Sequence, residues 1–258
     1  MNENINYLKN YDSVSDDVKF AANSIIRLRI LAALFEKSQN MKELTNLTKL
    51  SYSSISTTLH GLEIEDFVYR ESNKYYLSNS IRVQMRNILE FKEVVNLLDR
   101  FFNIIGGHVV DMIPKQSVEE LYLLGNAGLV ESCGMDANKI YNCIEDAIDN
   151  AKRAQCILPF YQLGFNNKLN CLVKNQKYVE LIVSKEVKEL YKRKSKCKYL
   201  STFEGKNNFL LIVTDKMMIL GFFKDDGNFD QNRLLISGDG ESLIWAENLF
   251  KNFKKKNK

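Results

Sequence analysis

Leu50-Ser51-Tyr52-Ser53-Ser54-Ile55-Ser56-Thr57-Thr58-Leu59-His60-Gly61-Leu62 reads as a short helix with a hydroxyl-rich outer face. Ile55, Leu59 and Leu62 fall at i, i+4 and i+7 and form one apolar stripe. Ser53, Ser54, Ser56, Thr57 and His60 lie off it. Serine and threonine offer their own backbone competing hydrogen bonds, so such a helix has poor intrinsic propensity. Short donors and acceptors on a helix can lie against base-pair edges in a DNA major groove. Taken alone, the stretch fits a recognition helix or a surface helix without a partner.

Working outward, the segment before it carries Val18, Ala21, Ala22, Ile25, Leu28, Ala32 and Phe35 at helical spacing. This predicts a core helix from a Ser15 cap to about Lys37, with Asp16 and Asp17 in its first turn. Ser38-Gln39-Asn40 breaks the pattern, and residues 41–48 make a second helix with Leu44 and Leu47 inward. Lys49-Leu50-Ser51 is then a tight turn, and Ser51 caps the third helix. Helix, short helix, turn, helix is the helix-turn-helix order. Behind it, Ile64 to Arg70 and Tyr75-Tyr76-Leu77-Ser78 are β-prone and flank the polar tip Glu71-Ser72-Asn73-Lys74, a hairpin signal. In this position a hairpin is a wing, and Arg70 and Lys74 would bring positive charge to the groove or its flanking phosphates.

Residues 24–78 resemble a winged helix of the arsenical-resistance-regulator type found in archaea and bacteria. Ser24 through Arg27 with Ile30-Leu31 corresponds to its first helix and Met41-Lys42-Glu43-Leu44 to its second. Leu50 to Ser56 with Leu59 and Leu62-Glu63 corresponds to its third, and Phe67-Val68-Tyr69-Arg70 and Tyr75 to Ser78 to the wing. The resemblance implies that the third helix enters the major groove of double-stranded DNA. The sequence departs from strong base readers in one respect: no Lys or Arg lies between Ser51 and Asp66, so the arginine–guanine contact is missing. Base reading falls to Tyr52, Ser53, Ser54, Ser56, Thr57 and His60, with affinity raised by dimerisation.

Residues 79–105 carry Ile81, Met85, Ile88, Phe91, Val95, Leu98, Phe102 and Ile105, a seam close to heptad spacing. Such a helix packs on its own C-terminal domain, on a two-fold mate that sets the distance between two recognition helices, or on both through different faces. Gly106-Gly107 ends it. Beyond, helices at 117–124, 138–154, 165–175, 185–194 and 239–253 interleave with strands at 155–158, 178–183, 198–203, 208–213 and 218–223. That is an α/β pattern with parallel crossovers first and an antiparallel meander after.

This half is similar to the regulatory domain of archaeal methanogenesis-regulator transcription factors. The similarity rests on His108 with Ile113-Pro114, Ile157-Leu158-Pro159-Phe160, Leu211 to Asp215, Leu220-Gly221-Phe222-Phe223, Asp226 to Asp230, Leu235-Ile236-Ser237 and Ile244 to Phe250. It departs at Ala246, where glycine is expected. It implies an effector-sensing or assembly module and names no ligand. Pro159, Phe160 and Tyr161 follow the first sheet strand, and crevices past strand carboxyl ends are where open α/β sheets bind ligands. An effector, small molecule or protein, is expected there.

Enzymatic signatures are absent. Phospholipase-D-type chemistry needs a Lys two residues after its His, whereas His60 precedes Gly61-Leu62 and His108 precedes Val109-Val110. There is no GxSxG, P-loop or dinucleotide glycine signature. Asp226-Gly227-Asn228-Phe229-Asp230 lacks the acid at the twelfth position of a calcium loop, where Ser237 stands, and reads as a turn.

Composition agrees with an ordinary globular chain: 258 residues, 45% apolar and 26% charged. Cys133, Cys143, Cys156, Cys171 and Cys197 show no CxxC spacing, which argues against a disulfide framework or zinc site. The net charge of +4 depends on five lysines in the last eight residues; without them it is −1. Residues 1–17 lack the basic-then-apolar order of a secretory signal, so a cytoplasmic protein is expected.

The sequence therefore predicts an α+β winged-helix N-terminal domain (1–78), a long linker and dimerisation helix (79–107) and a C-terminal α/β regulatory domain with a mixed sheet (108–258). The expected function is a homodimeric, sequence-specific DNA-binding transcriptional regulator without enzymatic activity, cofactor or metal. The alternative is a winged helix used for protein–protein docking.

Overall fold

The computed structural model describes residues 20, 23–101, 104, 106–204 and 209–257. It is an α+β chain with a mixed sheet, in two compact units that divide between Lys92 and Glu93.

The first unit opens with α1 (Ile25–Glu36), α2 (Met41–Thr48) and α3 (Tyr52–Ile64). The helix expected to run unbroken to Lys37 does not pass through Ser24. That residue is extended (φ −131°, ψ 115°) and its hydroxyl accepts from the Arg27 N–H at 3.3 Å, so α1 starts at Ile25. The expected cap at Ser15 lies outside the described residues. Asn40 closes a capping box on α2: its Oδ1 accepts from the Glu43 N–H at 3.0 Å, and Glu43 Oε2 accepts from the Asn40 N–H at 2.8 Å.

Between α2 and α3 the turn is made by Lys49, left-handed at φ 57°, whose N–H donates to Thr45 O. Ser51 then caps α3 by accepting from the Ser54 N–H at 3.2 Å. Antiparallel β1 (Val68–Glu71) and β2 (Lys74–Leu77) follow, with Arg70 opposite Tyr75 and Glu71 opposite Lys74. Gln39 exchanges two backbone bonds with Tyr75, so the break between α1 and α2 is also a bridge onto β2. Ile30, Leu31, Leu34, Leu44, Ile55, Leu59 and Leu62 close the core from three helices, with Phe67, Val68 and Leu77 from the hairpin.

α4 (Asn79–Arg100) lends Ile81 and Met85 to that core. Further along, Leu97, Phe101 and Ile104 enter the core of the second unit, while Phe91, Val95 and Leu98 are 67%, 38% and 38% exposed. The single seam expected along this helix therefore splits. Its first positions are inward, and its later ones face solvent beside a different buried stripe. Phe102 and Ile105 lie outside the described residues.

The second unit is built on a sheet of order β4-β10-β9-β8-β5-β6-β7. β5 (Arg153–Leu158), β6 (Tyr178–Ser184) and β7 (Tyr199–Phe203) are parallel. β8 (Phe209–Thr214), β9 (Met218–Lys224), β10 (Arg233–Ser237) and β4 (Gly128–Glu131) run as an antiparallel series from β5. β3 (His108–Val109) adds to β9. The short strands β3, β4 and β10 were not expected.

Helices cover both faces. α5 (Lys115–Glu119), the 3-10 turn Leu121–Leu124 and α9 (Gly240–Lys256) lie on one side. α6 (Lys139–Asp149), α7 (Leu163–Lys174) and α8 (Lys188–Lys194) lie on the other. α6 stops at Asp149 instead of 154, because Arg153 already pairs with Tyr178 in the sheet.

The strand sequences alternate between the two cores. Leu210 and Ile212 of β8 face α6 and α7, whereas Phe209, Leu211 and Val213 face α9. Each such burial is worth roughly 1.5–3 kcal/mol, and a one-residue slip would exchange the two sets, so register is strongly held. On α9, Trp245 is fully buried and donates Nε1–H to Ser117 O at 2.8 Å. Cys156 is also wholly buried, and desolvation pushes its thiol pKa far up; Cys133 and Cys171 are exposed. Among the described residues no group of three or more metal-ligating side chains gathers, and no helix is long and apolar enough to cross a membrane.

Candidate nucleic-acid interface

The apolar stripe of α3 is wholly inward: Ile55, Leu59 and Leu62 are at most 1% exposed. The opposite side is left bare. Ser53, Ser56, Thr57 and His60 are all exposed, and their spacing of i, i+3, i+4 and i+7 makes them one strip. Tyr52 stands at the N-terminal end of this strip with 65% of its surface free. Ser54 differs: it is half-buried at the border, and its N–H is spent on the Ser51 cap. Ser53 Oγ is 3.1 Å from Ser51 Oγ, so the first turn of the helix carries paired hydroxyls.

In the hairpin, Arg70 and Lys74 are both exposed. The Arg70 guanidinium lies 5.5 Å from the Tyr75 ring centre, and Tyr69 stacks on Tyr76 across the strands at 5.3 Å. These contacts stiffen the strand that carries Arg70. Ser72, left-handed at φ 55°, turns the chain so that Lys74 sits at the tip opposite Glu71. The face therefore presents hydroxyls, a phenol and an imidazole on the helix, with cations confined to the hairpin. That suits hydrogen bonding to base edges and phosphates, with little general attraction for a polyanion.

In the second unit Pro159, Phe160 and Tyr161 are half-buried just past β5. The Phe160 ring lies 4.9 Å from Phe229 and 6.4 Å from Phe223, and the Phe160 carbonyl accepts from the Tyr191 hydroxyl at 3.2 Å. Tyr161 packs edge-on to Tyr191 at 5.1 Å, and its own hydroxyl is buried with no hydrogen-bond partner. A separate cavity of about 580 Å3 opens between α6 and the β8–β9 turn, lined by Lys139, Cys143, Asp146, Thr214 and Lys216. Sequence reasoning missed it, because its walls come from segments some 70 residues apart with no shared motif.

Residues 15–98 match the model of the N-terminal domain of the methanogenesis regulatory protein FilR1, and residues 138–256 match that of its middle domain. Over these two stretches the chain is thus similar to the N-terminal and middle domains of the FilR1 regulatory protein. The model matching the first unit is this one, where the sequence alone suggested the arsenical-resistance-regulator type.

The chain is 22% identical over 247 residues to the methanogenesis regulatory protein FilR1 of Methanothrix harundinacea (strain 6Ac). The alignment covers 90% of this chain and 55% of that protein, so the chain spans about half the length of the curated relative it matches. Among solved structures it is similar to TrmBL2, described as an archaeal chromatin protein with a novel mode of DNA binding (13% identity, 93% of this chain and 96% of that one, TM-score 0.40). It is also similar to Nuc, a phospholipase D family member from Salmonella typhimurium (12% identity, 50% of this chain and 91% of that one, TM-score 0.35).

Proposed function

We propose that this chain is a cytoplasmic, homodimeric, sequence-specific DNA-binding regulator of transcription, and not an enzyme. The observation that carries the proposal is the exposed strip Ser53, Ser56, Thr57 and His60 on a capped helix, beside a hairpin with Arg70 and Lys74, in a unit similar to the FilR1 N-terminal domain. In this reading residues 1–78 form a winged helix resembling that of arsenical-resistance-type regulators, with α3 in the major groove. Tyr52, Ser53, Ser54, Ser56, Thr57 and His60 contact bases, and Arg70 and Lys74 contact phosphates.

Residues 79–107 are the dimer helix. Their exposed Phe91, Val95 and Leu98, at i, i+4 and i+7, form the apolar stripe a second copy would cover. Residues 108–258 are the regulatory domain, with an effector at Pro159, Phe160 and Tyr161; the buried, unpartnered Tyr161 hydroxyl supports that position. An effector that prefers one dimer arrangement would change the spacing of the two recognition helices.

The test is selection of bound fragments from random genomic DNA. A recurrent motif with two symmetric half-sites supports the reading, and absence of enrichment over input overturns it. The second reading, a winged helix used for docking to protein, is favoured by the missing Lys and Arg between Ser51 and Asp66. A complex with random duplex DNA that weakens steeply with salt and tightens on selected DNA excludes it.

A further inference from the structure

The second unit holds two exposed aromatic rings on one sheet face. Tyr178 begins β6 and Tyr199 begins β7, 44% and 57% exposed, with ring centres 5.4 Å apart. Parallel pairing sets Tyr199 against Glu180, so Tyr178, Glu180 and Tyr199 share a face. Glu180 is buried. It accepts from the Tyr178 hydroxyl at 2.8 Å, from Gln155 Nε2 at 3.0 Å and from Lys254 Nζ. The phenol is thus anchored at its tip while its ring stays open to solvent.

The rings border a groove of about 360 Å3 whose walls include Lys177 and Lys198. Residues 174–198 hold nine lysines and arginines against three glutamates, one of which is the occupied Glu180. The last turn of α8 is Lys192-Arg193-Lys194, and its carbonyl end is tied to α7 by Asn166 and Asn170, both donating to Lys194 O. Among the described residues, Lys174, Lys196 and Lys198 have no carboxylate within ion-pair reach. The charge of these three lysines is therefore uncompensated, while the Lys192–Lys194 turn belongs to the sheet face opposite the rings, whose Glu180 is bonded to Lys254 of α9.

One ring anchored at its hydroxyl, a second packed against it, an exposed Lys198 and a Lys177 whose Nζ also donates to Ala151 O match the chemistry of single-stranded nucleic acid. Bases stack on aromatic faces without regard to sequence, and lysines follow the backbone. We propose that the β6–β7 end of the sheet is a second, sequence-tolerant contact for single-stranded nucleic acid, with bases on Tyr178 and Tyr199 and phosphates at Lys177 and Lys198. It is independent of the duplex reading at α3. An acidic peptide would use the lysines and leave the rings idle.

The experiment is fluorescence anisotropy of the full chain with a labelled oligo-dT of about twenty nucleotides, long enough for one such site. Tyr199→Ala should weaken binding about tenfold, and Lys198→Gln should lower the salt slope by about 0.7. Both positions are exposed, so melting temperatures should stay at the parent value. The triple change of Ser53, Ser56 and Thr57 to Ala on α3 should leave oligo-dT affinity unchanged. Three results each overturn the proposal: no oligo-dT binding by the parent, parent-like affinity in Tyr199→Ala, or loss of affinity in the α3 variant instead. Competition by polyglutamate that is equally effective, charge for charge, marks an acidic-peptide surface and also overturns it.

Discussion

His108 and Asp230, 122 positions apart, meet through Nε2 and Oδ2 at 2.9 Å with both side chains buried. His108 lies on the two-residue strand β3 beside β9, and Asp230 lies where the chain leaves the Asp226–Gly227 turn. Asp230 also accepts the Asn232 N–H on its other oxygen at 2.9 Å. The pair fastens the segment that follows α4 to the sheet. Removing the carboxylate leaves a buried imidazole and a backbone donor unmatched, so Asp230→Ala should cost about 2–3 kcal/mol and Asp230→Asn clearly less. Urea denaturation of the three proteins measures this, and equal midpoints for Ala and Asn would refute it.

On α3, replacing Ser53, Ser54 and Thr57 together by Ala should weaken binding to selected operator DNA while keeping the helical circular dichroism of the parent. Lys74→Ala should weaken all duplexes evenly and lower the salt slope by about one. Unchanged gel-shift affinity in every variant would remove this face from the DNA.

Lys49 holds a left-handed conformation that costs a side-chain-bearing residue roughly 1–2 kcal/mol. Lys49→Gly should therefore raise stability by up to about 1 kcal/mol, net of the chain entropy glycine adds to the unfolded state. Asn40→Ala should lower it by about 1 kcal/mol by opening the capping box. Thermal melts of the two variants should shift in opposite directions.

Burial alone would raise the Glu180 pKa, but the bonds from Lys254, Gln155 and Tyr178 outweigh it and hold the carboxyl below the usual range. A depressed folded-state pKa stabilises above the unfolded value, near 4.3, and that stability fades as pH falls through the folded value. Glu180→Gln should thus be less stable than the parent at neutral pH, with the gap narrowing below about pH 4. A gap that widens on acidification would reverse the sign.

For α4, Phe91→Glu combined with Leu98→Glu should turn a dimer into a monomer that keeps the parent's helical circular dichroism, since both side chains are exposed within one chain. Sedimentation velocity reads the change. A parent that sediments as a monomer at every concentration would end the dimer-helix idea.

The three helices and the hairpin were legible because their signals are local: Ile55, Leu59 and Leu62 mark the inner face of α3 whatever surrounds it. The parallel strands and the later meander were legible from runs such as Phe209–Thr214, buried at every position. What escaped depends on distant partners. Gly128–Glu131 is four residues of half-open strand that exists only against β10. Gln39 is a break in local pattern and a bridge only because Tyr75 comes to it. The seam of α4 misled for the same reason: heptad spacing says which residues could share a face and says nothing of which core claims them. Tyr178 and Tyr199 are unremarkable in sequence and meet only through the parallel register of β6 and β7.

All five cysteines fall beyond residue 132, and only Cys133 and Cys171 are exposed. Thiol-directed dyes therefore decorate the sheet unit and leave the helical unit dark. A reporter on the native protein will register events around the sheet unit, and watching α3 engage a duplex requires a cysteine introduced there.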